Sequence, residues 1–204
     1  MSPRRKYDLK RRAERQRETR RRITEAAVEL HSAIGPARTT ITAIAKRAGV
    51  QRHTVYAHFP DELALLEACR AHVSARDPLP DPERWRRIAD PERRLRVALA
   101  ELYGHYARNE RQIANVLRDL DALPALRRLA GRELAGLQAM RDVLAGGRRA
   151  RGHRRAALLA ALGHAIDFET WRSLVRREGL EQSQAVELMV SFVRCAGDSR
   201  DPRA

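Results

Sequence analysis

An all-α fold follows from three features of the 204-residue sequence. Alanine, leucine, arginine and glutamate dominate, residues that give up little on entering a helix, while β-branched side chains are sparse. Apolar residues recur at spacings of three and four, and nowhere do they alternate with period two for long enough to make a sheet. Hydrophobic residues make up 43% of the chain, enough for a real core, although aromatics are only 4%. The pattern predicts an N-terminal three-helix unit followed by an antiparallel helical domain.

Residues 1–22 carry eleven basic side chains against Asp8, Glu14 and Glu18, with no apolar periodicity before Ile23. Such a run reads either as a solvated, partly disordered tail or as a basic arm that grips phosphates or reaches into a minor groove. Arg11, Arg12 and Arg15 are its central cations. The arm reading is preferred because the run leads straight into the helices that follow. From Thr19 to Ile34 the pattern turns amphipathic, with Ile23, Ala26, Ala27, Leu30 and Ile34 on one face, and Gly35-Pro36 ends it.

Residues 39–66 form the most informative stretch. Thr40 stands where an N-cap belongs, and Ile41, Ile44, Ala45 and Ala48 share a helix face. Gly49 stops that helix, since glycine enters the left-handed region without steric cost. A second short helix runs from about Gln51 to His58, anchored by Val55 and Phe59, until Pro60 forbids continuation. A turn glycine, alanines that permit close crossing and a short second helix describe a helix-turn-helix unit, whose second helix enters a DNA major groove. Gln51, Arg52 and His53 lie at its leading end, where arginine suits guanine and glutamine suits adenine. Thr54, Tyr56 and His58 would face the flanking phosphates. Lys46 and Arg47, on the outer side of the preceding helix, are either phosphate contacts or a solvated face.

On Thr40, Ile44, Ala45, Ala48, Gly49, Val50, Thr54, Tyr56, His58, Phe59 and Pro60, followed by Leu65 and Leu66, the stretch resembles the DNA-binding domain of the TetR family of bacterial transcriptional regulators. The resemblance implies a recognition helix over 51–57, phosphate contacts from Tyr56 and His58, and a capping and backbone-contacting role for Thr40. One departure stands out. The family often places a lysine near the start of the next helix, where this chain has Asp61 and Glu62. These acids suit a helix N-terminus but repel DNA, so no phosphate contact is assigned to them.

Asp61 opens a helix to about Arg76, and the Asp77–Pro82 segment DPLPDP breaks helicity. The expected division is an arm over 1–22, a DNA-binding domain over 19–66 and a helical ligand-binding and dimerisation domain over 67–204. Further helices are expected at Arg94–Arg108, Arg111–Leu120, Pro124–Ala145, Arg151–Arg177 and Glu181–Cys195. The last two are joined by the short link 178–180 and must be antiparallel neighbours. They too resemble the family's closing helices, which in many members pair with their copies in a four-helix bundle. That implies a homodimer face drawn from Ala157, Ala161, Phe168, Val186, Met189, Val190 and Val193; the alternative is an ordinary buried hairpin. The family also holds a small-molecule pocket among its middle helices, for which Trp85, Tyr103, His105, Tyr106, Asn115, Met140, Asp167 and Trp171 are the candidates. Each has a plainer structural role open to it. Asp167 is the most suggestive, since a buried carboxylate requires a partner.

The formal net charge is +15, and only Lys6, Lys10 and Lys46 among the basic residues are lysines. So strong a basic balance implies a polyanionic partner or a membrane surface, although arginine abundance can also follow genomic base composition. No stretch approaches the roughly 20 apolar residues of a membrane span, and the charged N-terminus has no signal-peptide core. Cys69 and Cys195 lie far apart, as expected of small buried hydrophobes in a reduced cytoplasm, and form no metal spacing. No nucleophile elbow, zinc-protease motif or phosphate-cradling loop is present, so neither an enzyme, a metal nor a cofactor is expected. The expectation is a cytoplasmic, dimeric repressor on a pseudo-palindromic double-stranded DNA operator, with a possible small-molecule effector and no membrane partner. A nonspecific, architectural nucleic-acid-binding protein is the alternative, and a basic amphipathic membrane binder is the third.

Overall fold

Arginine and glutamate propagate a helix nearly as well as leucine does. In the computed structural model, which describes residues 3–198, the basic run is accordingly helical rather than a loose tail. Helix α1 extends over Pro3–Ile34 without a break. Among its described side chains burial begins at Ile23, the first apolar residue of the periodic face.

The chain divides into two units, Met1–Pro78 with Arg111–Ala130, and Leu79–Glu110 with Gly131–Ala204. The first unit therefore recruits a segment that the sequence assigned wholly to the second domain. It contains α1, a 3-10 turn at Pro36–Arg38, α2 (Ile41–Ala48), α3 (Arg52–His58) and α4 (Glu62–Arg76). Ile23, Ala27, Ile44, Ala45, Val55, Phe59 and Leu65 close its main core. Cys69 is buried there, and burial pushes its thiol up to about 12. A smaller cluster packs Leu66 with Leu126 and Leu129, flanked by Val116 and Leu120.

The second unit begins with α5 (Pro82–Arg86), a short helix inside the stretch expected to be irregular. Asp81 starts it by accepting the Glu83 N–H at 3.0 Å, and Trp85 is buried with its indole N–H donated to Glu101 at 2.8 Å. Helix α6 covers Pro91–Asp119 in one piece, where the sequence suggested two. The polar run from Arg108 to Arg111 interrupts the apolar stripe, but it contains no helix breaker. Helix α7 spans Pro124–Ala145 and α8 Gly152–Ala165; α9 covers Phe168–Arg172, a π-helical turn occupies Ser173–Arg177, and α10 covers Gln182–Asp198.

The helix expected over 151–177 is thus divided, for a visible reason. Tyr103 and Tyr106 donate their hydroxyls to the carbonyls of Ala165 (2.9 Å) and Ile166 (2.6 Å), which end α8. Asp167 then accepts the N–H groups of Glu169 (2.7 Å) and Thr170 (3.4 Å) and so caps a new helix. Arg94 is buried within this unit, and among the described residues its guanidinium bonds to main chain: Ile88 (2.7 Å), Ala89 (3.4 Å), Val143 (3.1 Å) and Gly146 (2.7 Å). It thereby satisfies carbonyls that the end of α7 leaves without helical partners. Among the described residues there is no strand, and no helix is long and apolar enough to cross a membrane.

Candidate nucleic-acid interface

The interface is built on a capped helix, a left-handed glycine and a second helix held by its inner edge. Thr40 accepts the Ala43 N–H at 3.1 Å and fixes the start of α2. Gly49 closes α2 at φ 65°, ψ 40°, and its N–H and that of Val50 bond back to Lys46 and Ala45. A β-carbon at Gly49 would meet nothing within 4 Å, so glycine is required for its dihedral angles and not for space. Val55 and Phe59 sink the inner edge of α3 into the core, at 0% and 2% exposure.

The outer edge is free. Gln51, Arg52 and His53 are exposed at the leading end, and the Gln51 side chain makes no capping bond. Tyr56 is 51% exposed one turn on, with Thr54 and His58 half-buried beside it. A surface of amide, guanidinium, imidazole and phenol groups on a helix rigidly seated from behind is suited to hydrogen-bonding base edges and phosphates. Lys46 and Arg47 are both exposed, but they are not equivalent. Arg47 is paired with Glu29 at 2.6 Å, whereas the Lys46 ammonium makes no bond to another described residue. Asp61 is committed to its own helix, accepting the Ala64 N–H at 2.7 Å.

Arg20 is the residue that sequence reasoning missed. Its guanidinium lies over the Phe59 ring at 4.0 Å and donates to the carbonyl of His58, so it clasps the closing turn of α3 to α1. The signal was present: Arg20 precedes Ile23 and Ala27 by three and seven residues, on the core-facing side of the helix. Arg21 is engaged differently, by Glu18 and Glu25, each at 2.7 Å. Arg12, Arg15, Arg17 and Arg22 are exposed and make no ion pair with other described residues, and Arg11 stands 5.8 Å from the Tyr7 ring.

The far end of α1 is held as firmly. Helix ends leave carbonyls without intrahelical partners. Here Asn115 donates to His31 (3.2 Å) and Ser32 (2.8 Å), Arg111 to Ala33 (3.0 Å) and Arg118 to Ile34 (2.9 Å). Asp119 accepts the Ala37 N–H at 3.0 Å, and the Arg118 guanidinium beside it holds its carboxyl below the usual range. Gly35 crosses this cluster at φ 93°, where a β-carbon would lie 2.1 Å from Arg118 and 2.3 Å from Asp119.

The expected ligand-pocket residues do not converge. Asn115 is spent on the end of α1, and Asp167 is an exposed helix cap and not a buried carboxylate. Tyr103, Tyr106 and Trp171 do come together, with Phe168, but as packed aromatics. Tyr106 lies 5.5 Å from Phe168 and 6.1 Å from Trp171, ring centre to ring centre. Met140, His105 and Trp85 are buried in the same unit. The expected dimer face is also corrected. Ala161, Phe168, Val186, Met189, Val190 and Val193 are buried inside this chain, where α8 and α10 pack on each other and Phe168 of α9 meets Tyr106 of α6; of the seven, only Ala157 is exposed. The outward apolar positions are instead Ala156 and Ala160 on α8 and Leu188 and Phe192 on α10, the latter two each 45% exposed.

Residues 23–69 match the family model of bacterial regulatory proteins, tetR family. The chain is 43% identical over 67 residues to the HTH-type transcriptional regulator SrpR of Pseudomonas putida, which covers 31% of this chain and 32% of that protein. It is 43% identical over 68 residues to the uncharacterized HTH-type transcriptional regulator TtgW, also of Pseudomonas putida, covering 32% of this chain and 51% of that protein. It thus spans about a third and about half of these relatives' lengths. The fold continues beyond the shared head. A transcriptional regulator from Rhodococcus sp. Rha1 superposes with a TM-score of 0.62 at 21% identity, over 89% of this chain and 99% of that one. The regulator FadR from Bacillus subtilis, solved in complex with stearoyl-CoA, superposes at 0.58 with 18% identity, over 88% and 98%.

Proposed function

The chain belongs, through its N-terminal head, to the tetR family of bacterial regulatory proteins, and from that premise we propose that it represses transcription as a homodimer on a pseudo-palindromic operator. The observation that carries the reading is the outer edge of α3. Gln51, Arg52 and His53 stand free on a helix whose other side is fixed by Val55, Phe59 and the Arg20 clasp. Base readout demands this combination of free polar groups and a rigid support. Thr40, Thr54, Tyr56, His58 and Lys46 hold phosphates around it, and the exposed arginines of α1, Arg11, Arg12 and Arg15 among them, extend the contact along the backbone.

A second copy completes the reader, since two α3 helices related by a twofold axis address two half-sites. The surface we assign to that copy is the strip of Ala156 and Ala160 against Leu188 and Phe192. Its small residues let helices approach closely, and its large apolar side chains, Leu188 and Phe192, are each 45% exposed, with the inner side of the Phe192 ring 6.0 Å from the His164 ring, centre to centre. A small-molecule effector would act in the cytoplasm by binding the DNA-free form more tightly than the bound one.

The net charge of +15 and the long basic helix favour one other reading, a nonspecific duplex binder. Binding-site selection with the purified full chain separates the two. A regulator enriches one motif with twofold symmetry, and a nonspecific binder enriches none.

A further inference from the structure

A cavity of about 280 Å³ opens in the second unit where the start of α6, the 146–151 loop, the middle of α8 and the end of α10 meet. We propose that it binds a small organic anion, a carboxylate or phosphate head on a short apolar body. Three arginines, Arg148, Arg149 and Arg194, line it together with the carboxylates of Asp90 and Glu92.

The two acids offset part of the charge, but the three guanidiniums outnumber them, and each acid has a partner outside the cavity. Asp90 accepts the Arg93 N–H at 2.5 Å as the cap of α6. Glu92 is claimed first by Arg96 at 3.2 Å, and Arg194 reaches it only at 3.9 Å. Of the cations, Arg148 is held in place by main chain, donating to Pro91 at 2.9 Å and to Leu144 at 3.4 Å. Arg149 makes no hydrogen bond or ion pair with another described residue. The site therefore combines a fixed guanidinium, one with no partner among the described residues and a loosely paired one, which is the donor set that an oxyanion satisfies.

Leu158 and Ala150 supply an apolar wall beside these groups, so the ligand needs a hydrocarbon part as well as a charge. The volume lies just under the usual range for drug-sized ligands, which limits the body to a short chain or one ring. Arg194 and Gly197 sit off the Leu188–Phe192 stripe of α10 at 100° per residue, so pairing through that stripe leaves the mouth open. None of the aromatic residues first considered as pocket lining contributes to it.

The test uses hexanoate as the anion and hexan-1-ol as its uncharged analogue, with the Leu158 methyl resonances of the full chain as the readout. Hexanoate is expected to shift them saturably, and hexanol is expected not to. Arg149→Gln and Arg194→Gln should each weaken hexanoate at least tenfold, while Arg172→Gln, remote from the cavity in sequence and paired with Glu169, should leave it unchanged. Equal response to hexanol, no saturation, or unaltered binding by both cavity variants would overturn the proposal. Since the readout involves no DNA, its failure is separate from failure of the operator reading.

Discussion

Arg52 is exposed, unpaired among the described residues, and the first residue of α3, so its loss should be felt by the nucleic acid and not by the fold. Arg52→Ala should weaken the selected operator by about 1–3 kcal/mol and relax preference at one base pair, with the melting temperature unchanged. Fluorescence anisotropy on a set of single-base operator variants measures this; equal loss on every duplex would reduce Arg52 to a phosphate contact. Gly35 makes the opposite case, a residue remote from the reading edge whose replacement harms the fold. Gly35→Ala forces a β-carbon to 2.1 Å from Arg118 in a conformation that disfavours side chains. It should cost about 1–3 kcal/mol in urea denaturation. Only the glycine-proline end of the helix was legible at this point in the sequence. The partners that fix the dihedral angle, Arg118 and Asp119, come from more than eighty residues away, and no local pattern announces them.

Among the elements, α1 departs most from its reading. Charged residues without an apolar stripe favour a basic arm over a solvated tail and leave its conformation open, yet arginine and glutamate are good helix formers and the helix simply continues backward from Ile23. Residues before Arg20 extend about 25 Å as a helix, and its side chains from Leu9 to Glu18 are exposed. Deleting residues 1–17 should therefore leave the head folded and make DNA affinity less dependent on salt. The log–log slope should fall by about one for each phosphate that the extension neutralises. Titrations at several salt concentrations check this, and an unchanged slope would show that the extension touches no DNA. The other end of α1 is sensitive to pH. Burial pushes the His31 imidazole down from 6.5 to about 4, with the neighbouring Asp119 charge opposing in part. The unfolded chain accepts a proton that the folded chain refuses. Stability contributed by neutral His31 is thus complete above about pH 6.5 and is lost as the pH falls toward 4, by at most about 1.4 kcal/mol per unit. Denaturation midpoints of the wild type and His31→Gln should converge over that window; parallel curves would contradict the assignment.

At the scale of the whole molecule, legibility followed the range of the interactions. The helix-turn-helix is determined by neighbours within about twenty residues, through a cap, a glycine and two proline stops, and it could be read directly. Helix periodicity also gave α10 its apolar residues, but a periodic stripe does not say what covers it. Val186, Val190 and Val193 turned out to serve the chain's own core, leaving Leu188 and Phe192 outside. The division of the 151–177 segment was hidden as well, since it depends on hydroxyls from Tyr103 and Tyr106. The outward strip is a matter for sedimentation: Phe192→Glu should convert a dimer to a monomer, whereas Val193, already buried, would report only on folding.

Regulation at one operator requires α3 to distinguish one base sequence from another. The most direct measurement is the ratio of dissociation constants for the selected twofold site and for a shuffled duplex of equal length at one physiological salt concentration. Base readout by a paired α3 predicts a ratio of roughly a thousand or more. A ratio within about tenfold would mean that charge alone holds the DNA, and the assignment of Gln51, Arg52 and His53 would fall.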